Sequence, residues 1–285
     1  MENTFLGAPL ILPAPAKLNL FLHITGRRAD GYHLLQTLFQ FLDYSDEISL
    51  QVRTDGRITR PLGSPLVLEN DDLVVKAARL LQAETGSKLG VEIKVHKKLP
   101  MGGGLGGGSS DAATVLLGLN KLWNCKLSLS SLAALGLRLG ADVPVFVHGH
   151  AAWAEGVGEQ LEPVVIPEKW YFVLHPNVHV STPELFSSQG LTRDCKPIRI
   201  AAFLAEQTTN VFEPIVRRNY PEVAKAFEWL GIKAKLTGSG ACLFVEFDDE
   251  KSAQIIAKNL PKQWSGFVAK SRCKSTLHEK LNTLS

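Results

Sequence analysis

The stretch that decides the fold of this chain is Leu99-Pro-Met-Gly-Gly-Gly-Leu-Gly-Gly-Gly-Ser-Ser-Asp111. Six of the seven residues from Gly102 to Gly108 are glycine, and a helix-like apolar pattern follows from Ala112 to Leu122. Glycine lets backbone N–H groups approach an anion closely. A helix N-terminus adds unpaired N–H groups and the positive end of a dipole. The sequence therefore predicts a phosphate cradle, and we expect a nucleoside triphosphate there.

The alternatives to this interpretation fit less well. A flexible linker would be longer and flanked by polar sequence, whereas a strand-like segment, Val91–His96, precedes this run. The pattern Gly102-x-Gly104-x-x-Gly107 meets the dinucleotide fingerprint, but no second strand ending in an acidic residue follows. A Walker A loop requires lysine where Gly108 stands. A phosphate loop without that lysine must take its cation from elsewhere in the chain.

The run Pro100–Ser110 resembles the second motif of the galactokinase, homoserine, mevalonate and phosphomevalonate kinase superfamily. Three further segments fit the resemblance, which spans about residues 13 to 247: Pro15-Ala-Lys-Leu-Asn-Leu-Phe-Leu22, Leu139-Gly-Ala-Asp-Val-Pro-Val-Phe146 and Leu236-Thr-Gly-Ser-Gly-Ala-Cys242. The segment Arg28-Ala-Asp-Gly-Tyr-His33 narrows it to the family whose alcohol substrate carries a cytidine diphosphate group. The resemblance implies an α+β, two-domain small-molecule kinase fold with its site in the cleft between the domains.

The same resemblance implies a reaction. It is the ATP-dependent phosphorylation of the 2-hydroxyl of a 2-C-methyl-D-erythritol that carries a diphosphocytidyl group at its 4-position, a step of non-mevalonate isoprenoid precursor biosynthesis. Two alternatives stay open: a superfamily kinase that acts on another small alcohol, and a nucleotide-binding module without catalysis. A dehydrogenase is a more distant third.

The 285 residues allow one large or two medium domains, and 45% hydrophobic residues supply a full core. We predict an ATP-binding domain at residues 1–158 and a substrate-side domain at residues 159–285, with the boundary near Ala154–Glu159. Strands are predicted at Leu18–Thr25, Gly31–Leu42, Glu47–Val52, Val91–His96, Val143–Val147, Trp170–Leu174, Cys242–Phe247 and Gly266–Ala269. Helices are predicted from Leu73, capped by Asn70–Asp72, directly after the glycine loop, and at Ser128–Gly140, Pro221–Leu230 and Ser252–Leu260.

Phosphoryl transfer requires alignment, neutralisation of charge and a base near the attacking hydroxyl. Asp142 lies between a predicted apolar helix and a predicted apolar strand, where a carboxylate is costly unless it is paired or functional. A helix-capping or turn aspartate is the structural alternative. Lys17 begins an apolar strand, and the alternative for it is a lysine that extends to solvent. The resemblance identifies Lys17 and Asp142 as the catalytic pair, in which the ammonium holds the carboxylate ionised.

The predicted ATP-binding residues are the glycine loop, its flanks and one lysine. They are Lys97, Pro100, Met101, Gly102, Gly103, Gly104, Leu105, Gly106, Gly107, Gly108, Ser109 and Ser110. The sequence has no clear metal-ligand cluster, so we expect Mg²⁺ to arrive with ATP, held by phosphates and the hydroxyl of Ser109 or Ser110. Asp111 is interpreted as a structural residue in the first turn of the loop helix, and a contribution to metal binding is the lesser alternative.

The substrate-binding predictions rest on the resemblance. Tyr32 and Phe186 match the family's stacking pair for cytosine, and His33 matches the residue that reads its edge. The other matching contact positions are Asn19, Val157 and Thr182. Core packing for the aromatic rings, and a surface or strand-edge position for His33 and Asn19, are the structural alternatives.

Bulk properties exclude several classes of protein. A net charge of +3 does not favour a nucleic-acid surface, and no run is long enough for a membrane span. The four cysteines form neither a zinc framework nor a disulfide scaffold, which fits a reducing cytoplasm. The first residues do not form a secretory signal. We expect a cytoplasmic monomer or weak dimer. His148 and His150 on one strand face suggest a metal pair, but without a third ligand we interpret them as incidental.

Overall fold

Two unusually long antiparallel strands form the centre of the fold. A computed structural model of the chain describes residues 4–200, 203 and 208–284. In it β1 covers Phe5–Arg27 and β2 covers His33–Arg53, and they pair along most of their length. Among the described strands β1 pairs only with β2, so its three prolines remove no hydrogen bond from a second neighbour.

The remaining strands extend this pair into a ten-stranded sheet with the order β3-β4-β2-β10-β7-β9-β8, in which β1 and β5 also pair with β2, and β6 pairs with β5. Their bounds are β3 Ile58–Leu62, β4 Gly90–His96, β5 Ala152–Glu155, β6 Gln160–Pro163, β7 Trp170–His175, β8 Lys235–Leu236, β9 Leu243–Phe247 and β10 Ser265–Arg272. The pair between β10 and β2 joins the two halves of the sheet, β3-β4-β2 and β10-β7-β9-β8.

Helices pack against both halves of the sheet. A 3₁₀ turn at Glu69–Asp71 precedes α1, which is capped by Asp72 through a hydrogen bond from the backbone N–H of Val74, as predicted for this segment. The helices are α1 Leu73–Thr85, α2 Gly107–Leu122, α3 Leu129–Leu137, α4 Val143–His148, α5 Thr182–Ser187, α6 Glu213–Asn219, α7 Pro221–Leu230, α8 Glu250–Lys258 and α9 Thr276–Asn282.

Three clusters of buried side chains hold these layers together. In the first, the sheet residues Leu50 and Val95 pack with Leu116 of α2. In the second, β7 and β9 pack against α6 and α7. The third contains apolar residues of β1 and β2 together with Tyr171 and Phe244. This third cluster lies beneath the part of β1 that carries Lys17 and Asn19, and therefore fixes that part of the strand.

The predicted strand at Val143–Val147 is wrong, because these residues form α4. All five are buried, and an apolar run that is buried on every side shows no period that separates a strand from a helix. Pro144 lies in the first turn and Gly149, with φ 71°, ends the helix, a combination that favours a helix. The correction makes Asp142 the N-cap residue of α4.

The predicted boundary between residues 158 and 159 lies in the turn that joins β5 to β6. Both strands of this hairpin belong to the ten-stranded sheet, and the division into residues 1–158 and 159–285 stays a prediction. Among the described residues, no helix combines the length and apolar character that crossing a membrane requires.

Candidate active site

A cavity of about 1090 Å³ opens where the glycine loop, β1, α4 and α5 meet. Its lining contains both predicted catalytic residues and all six predicted substrate-binding residues: Lys17, Asp142, Asn19, Tyr32, His33, Val157, Thr182 and Phe186. Four of the predicted ATP-binding residues also line it: Gly102, Gly104, Gly106 and Ser109. The structure thus brings together residues that are up to 169 positions apart in the sequence, and their individual roles stay predictions.

The glycine loop leaves β4 and enters α2 at Gly107. Four consecutive loop carbonyls, from Gly102 to Leu105, accept hydrogen bonds from other parts of the chain. Their donors are the backbone N–H groups of Ala241, Cys242 and Lys17 and the side chains of Lys17 and Thr237. By contrast, the hydrogen bonds of the described residues use none of the backbone N–H groups from Gly102 to Ser109. In proteins, backbone N–H groups that are left without partners at a helix N-terminus are donors that can bind phosphate.

Gly104 shows why this loop requires glycine. Its φ is +75°, in the left-handed region that L side chains rarely adopt, and a Cβ added here would overlap the backbone oxygen of Thr237. Residues 237–242 form a second glycine turn that packs directly on the loop. Asn210 holds this turn, because its side-chain amide donates to the carbonyls of Leu236 and Gly238.

Lys17 and Asp142 form an ion pair across the cavity, with 3.2 Å between Nζ and Oδ2. Lys17 is 2% exposed, and its ammonium also donates to Asn19 Oδ1 and to the carbonyl of Gly104. The carboxylate of Asp142 is 35% exposed. It makes no capping hydrogen bond to α4 although it occupies the N-cap position. Its side chain is therefore turned toward the lysine rather than used to cap the helix.

Asn19 is fixed by neighbouring strands. Its backbone N–H donates to Thr237 Oγ1 at 3.0 Å, and its side-chain Nδ2 donates to Thr37 Oγ1 at 2.9 Å. Thr37 in turn donates to the carbonyl of Phe21. This chain of hydrogen bonds fixes the amide beside Lys17, on the same face of β1.

The predicted ATP contact Lys97 lies outside the cavity lining, in a buried cluster with two carboxylates. Its ammonium donates to Asp46 and, at 2.8 Å, to Asp111. Burial lowers the pKa of Lys97, but the two carboxylates outweigh this and raise it overall. Burial is also the main reason that the pKa of Asp111 rises to about 7. Asp111 lies one residue beyond the first turn of α2, which corrects the expectation that it interacts there with the helix dipole.

The other predicted ATP-binding residues lie around the loop but outside the lining of this cavity: Pro100, Met101, Gly103, Leu105, Gly107, Gly108 and Ser110. Of the two candidate hydroxyls for Mg²⁺, Ser110 is fully buried whereas Ser109 lines the cavity. Asp72, the N-cap residue of α1, forms an ion pair with Arg60 at 3.1 Å.

At the far end of the cavity, the imidazole of His33 stacks on Phe186, with 4.8 Å between the ring centroids and 26° between their planes. Phe186 packs edge-on against Phe212. Tyr32 is 64% exposed and stands free for contact with a ligand ring. Thr182 shares a hydrogen bond of 2.6 Å with Ser239 of the second glycine turn.

The expectation of a strand face shared by His148 and His150 is wrong, because His148 ends α4 and the left-handed Gly149 separates the two. Burial, and then the charge of His150, lower the pKa of His148. Among the described residues, no group of three His, Cys, Asp or Glu side chains could hold a metal ion.

Sequence reasoning missed Arg193, which also lines the cavity. Its Nε donates to His33 Nε2 at 3.2 Å. Arg193 lies outside every motif that carries the resemblance, so no motif pointed to it. Sequence reasoning also missed Thr237, which holds the glycine loop, and Asn210, which holds the second glycine turn. The glycines beside Thr237 were a signal for that turn.

The chain is similar in sequence to known kinases over most of its length. The chain matches the sequence models described as "GHMP kinases N terminal domain" at residues 72–150 and "GHMP kinases C terminal" at residues 190–266. A relative from Nitrosococcus oceani, named 4-diphosphocytidyl-2-C-methyl-D-erythritol kinase, is 56% identical over 92% of this chain and 94% of its own. A relative from Mannheimia succiniciproducens with the same name is 54% identical over 98% of this chain and 93% of its own.

Solved structures agree with these relatives. A crystal structure of 4-(cytidine 5'-diphospho)-2C-methyl-D-erythritol kinase superposes with a TM-score of 0.79 and 31% identity, over 92% of this chain and 99% of that one. A crystal structure of mevalonate kinase superposes with a TM-score of 0.66 and 16% identity, over 93% of this chain and 99% of that one. At that identity the second similarity concerns the fold alone.

Proposed function

Because this chain belongs to the GHMP kinases and, within them, to the family of 4-diphosphocytidyl-2-C-methyl-D-erythritol kinases, we propose that it transfers the γ-phosphoryl group of ATP to the 2-hydroxyl of 4-diphosphocytidyl-2-C-methyl-D-erythritol. The superfamily and the α+β kinase fold that the sequence predicted are confirmed by these relatives. The family also implies the use of ATP.

The glycine loop supports triphosphate binding. The backbone N–H groups from Gly102 to Ser109 are unused by the described hydrogen bonds, and they supply donors without any side chain. They would neutralise phosphate charge in a fixed arrangement, which lowers the barrier because no reorganisation is needed during transfer. Mg²⁺ would be held by phosphate oxygens and the Ser109 hydroxyl, and it would neutralise charge on the transferred group.

Asp142 is the proposed general base. Its carboxylate accepts the proton of the 2-hydroxyl as the oxygen forms a bond to the γ-phosphorus, while the bond from that phosphorus to the bridging oxygen of ADP breaks. Lys17, 3.2 Å away, forms an ion pair with this carboxylate and orients the acceptor oxygen. Asn19 would bind substrate beside this pair.

The cytidine end of the substrate would lie against Tyr32, His33 and Phe186, with Val157 and Thr182 as further contacts. Aromatic faces hold bases by stacking, and an imidazole can read a base edge by hydrogen bonding. The observation that carries the whole proposal is the ion pair of Lys17 and Asp142 in the same cavity as the glycine loop.

A substrate panel tests this proposal. ATP consumption should be fastest with 4-diphosphocytidyl-2-C-methyl-D-erythritol, and phosphorus NMR should detect a phosphate ester on the 2-oxygen of the product. Homoserine, mevalonate and galactose serve as the other alcohols of the panel. Equal or faster turnover of one of them would support the alternative of a kinase for another alcohol.

The variant Asp142→Asn tests catalysis by this site. Loss of a general base lowers turnover by about a hundredfold to ten-thousandfold, while ATP binding should persist. The control Asp248→Asn changes a carboxylate that is 87% exposed. Unchanged turnover in Asp142→Asn would contradict the proposed base and favour a nucleotide-binding module.

A cytoplasmic location and a monomeric or weakly dimeric state stay predictions. Sedimentation velocity tests the oligomeric state.

A further inference from the structure

Arg193 makes three hydrogen bonds to backbone carbonyls in addition to its hydrogen bond to His33. Its Nη2 donates to the carbonyls of Phe186 and Ser188, both at 2.8 Å, and its Nη1 donates to that of Leu191 at 3.2 Å. The first two carbonyls belong to the last turn of α5 and its C-cap residue, groups that a helix leaves without partners. Three contacts of this kind fix the plane of the guanidinium, and in this orientation its Nε–H points toward His33.

The contact with His33 determines where that imidazole carries its proton. A guanidinium has five N–H donors and no acceptor, and it stays protonated in proteins. The bond of 3.2 Å from Arg193 Nε to His33 Nε2 therefore requires a bare Nε2. The ring must then be neutral, with its proton on Nδ1. Burial, followed by the positive charges of Arg193 and Arg27, lowers the pKa of His33, which favours the same neutral form.

The other ring nitrogen is available to a ligand. Nδ1 of His33 has no hydrogen-bond partner among the described residues and is not sealed in the interior. The ring lines the cavity and is held face to face against Phe186. An N–H donor is thus presented in a fixed orientation at the end of the cavity where the base would lie.

We propose that Arg193 is a positioning residue that holds His33 as an Nδ1–H donor and thereby selects cytosine against uracil. The inference rests on the proposed function, because it assigns a specificity to the same site. On its Watson–Crick edge cytosine presents an acceptor at N3, whereas uracil presents an N–H donor there. A fixed donor pairs with the first and leaves both groups unpaired with the second, and a buried unpaired group is costly. Free imidazole exchanges between its two tautomers and would accept either base.

The first test is the tautomer itself. Long-range proton–nitrogen NMR on histidine-labelled protein distinguishes Nδ1–H from Nε2–H, and the variant His33→Gln identifies the signals of His33 among the eight histidines. We expect Nδ1–H in the wild type at neutral pH. In Arg193→Met we expect a mixture of tautomers. An Nε2–H signal in the wild type, or an unchanged signal in Arg193→Met, would overturn the inference.

The second test is discrimination between bases, measured as the ratio of kcat/KM for the cytidine substrate and its uridine analogue. One unmade hydrogen bond corresponds to about tenfold to hundredfold, so Arg193→Met should lower the ratio by at least about tenfold. The control Arg218→Met removes an exposed arginine and should leave it unchanged. Arg193→Gln serves as the second variant, because its amide can donate to the α5 carbonyls yet can also accept a hydrogen bond from Nε2–H of His33.

A double-mutant cycle separates positioning from structural support. In a His33→Ala background, Arg193→Met should no longer alter the ratio. If Arg193 only stabilises α5, the variant will lower the rates with both bases equally, in either background, and that result would refute the inference.

Binding of CDP against UDP, measured by calorimetry, is independent of catalysis. One outcome is that the wild type prefers CDP, that Arg193→Met loses this preference, and that no phosphorylation is found. The proposed function then fails while this inference stands. If phosphorylation is found but both Arg193 variants keep the preference for CDP, this inference fails while the proposed function stands.

Discussion

Replacing Asp111 by asparagine should stabilise the protein, and the gain should grow with pH. The ammonium of Lys97 forms ion pairs with two buried carboxylates, those of Asp46 and Asp111. Asp46 also accepts the backbone N–H groups of Lys98 and Leu99, so its charge is well solvated by the protein. The Oδ1 atom of Asp111 has no hydrogen-bond partner among the described residues. When both carboxylates are ionised, the cluster therefore carries an uncompensated buried charge.

The magnitude follows from the pKa of Asp111, which rises from 3.8 to about 7, chiefly through burial. Between these two values the folded chain holds one more proton than the unfolded chain, so stability falls as pH rises. The contribution is complete below the unfolded pKa and is lost as pH passes the folded one. Each pKa unit is worth about 1.4 kcal/mol, and the two units from pH 5 to about 7 correspond to about 3 kcal/mol. Asparagine does not ionise and escapes this loss.

Urea unfolding at several pH values between 5 and 8.5 measures the effect. The free energy of unfolding of Asp111→Asn, minus that of the wild type, should increase by about 3 kcal/mol from pH 5 to pH 8. The control Asp71→Asn removes an exposed carboxylate, and its difference from the wild type should not follow this course. A difference for Asp111→Asn that is the same at both pH values would refute the reasoning, because the carboxylate would then ionise alike in the folded and unfolded chains.

Three further substitutions address the site. Gly104→Ala should abolish ATP binding because its Cβ would overlap the carbonyl of Thr237, whereas Gly7→Ala, also at positive φ but with open space around it, should bind ATP normally by fluorescence titration. Lys17→Met should lower kcat by about a hundredfold or more by depriving the base of its charge partner, and single-turnover kinetics should assign the loss to the transfer step rather than to binding. Tyr32→Leu should raise KM for the cytidine substrate about tenfold, since stacking on a base is worth about 1–3 kcal/mol, with little change in kcat; a lowered kcat at constant KM would contradict a stacking role.

The sequence predicted a glycine loop that leads directly into a helix, and the structure has this arrangement. Its role in binding phosphate stays a prediction. Lys17 and Asp142 were a different case. Residue types and spacing alone favoured a solvent-facing lysine and a capping aspartate, and only the resemblance reversed that interpretation. The structure explains why local signals were insufficient, because the pairing spans 125 positions of the chain and depends on β1 and the start of α4 meeting.

The error at α4 has a local cause. Five apolar residues in succession are compatible with both a buried strand and a short buried helix. The valines and the phenylalanine of this segment favoured the prediction of a strand. The residues at its ends carried the better signal, because proline in the first turn and glycine directly after the last residue are typical of a helix. In short buried segments the ends therefore deserve more weight than the pattern between them.

The conformation of the glycine loop could not have been predicted from the loop alone. A run with six glycines loses more conformational entropy on folding than any other run of its length. The loss is offset by hydrogen bonds to its carbonyls from residues 237–242, more than 130 positions away. These bonds turn the carbonyls of Gly102 and Gly103 toward that turn and leave the N–H groups of the loop unused by the described residues. The second glycine turn therefore supports the proposed nucleotide site although it need not touch nucleotide, and substitutions that displace it should weaken ATP binding as strongly as changes within the loop.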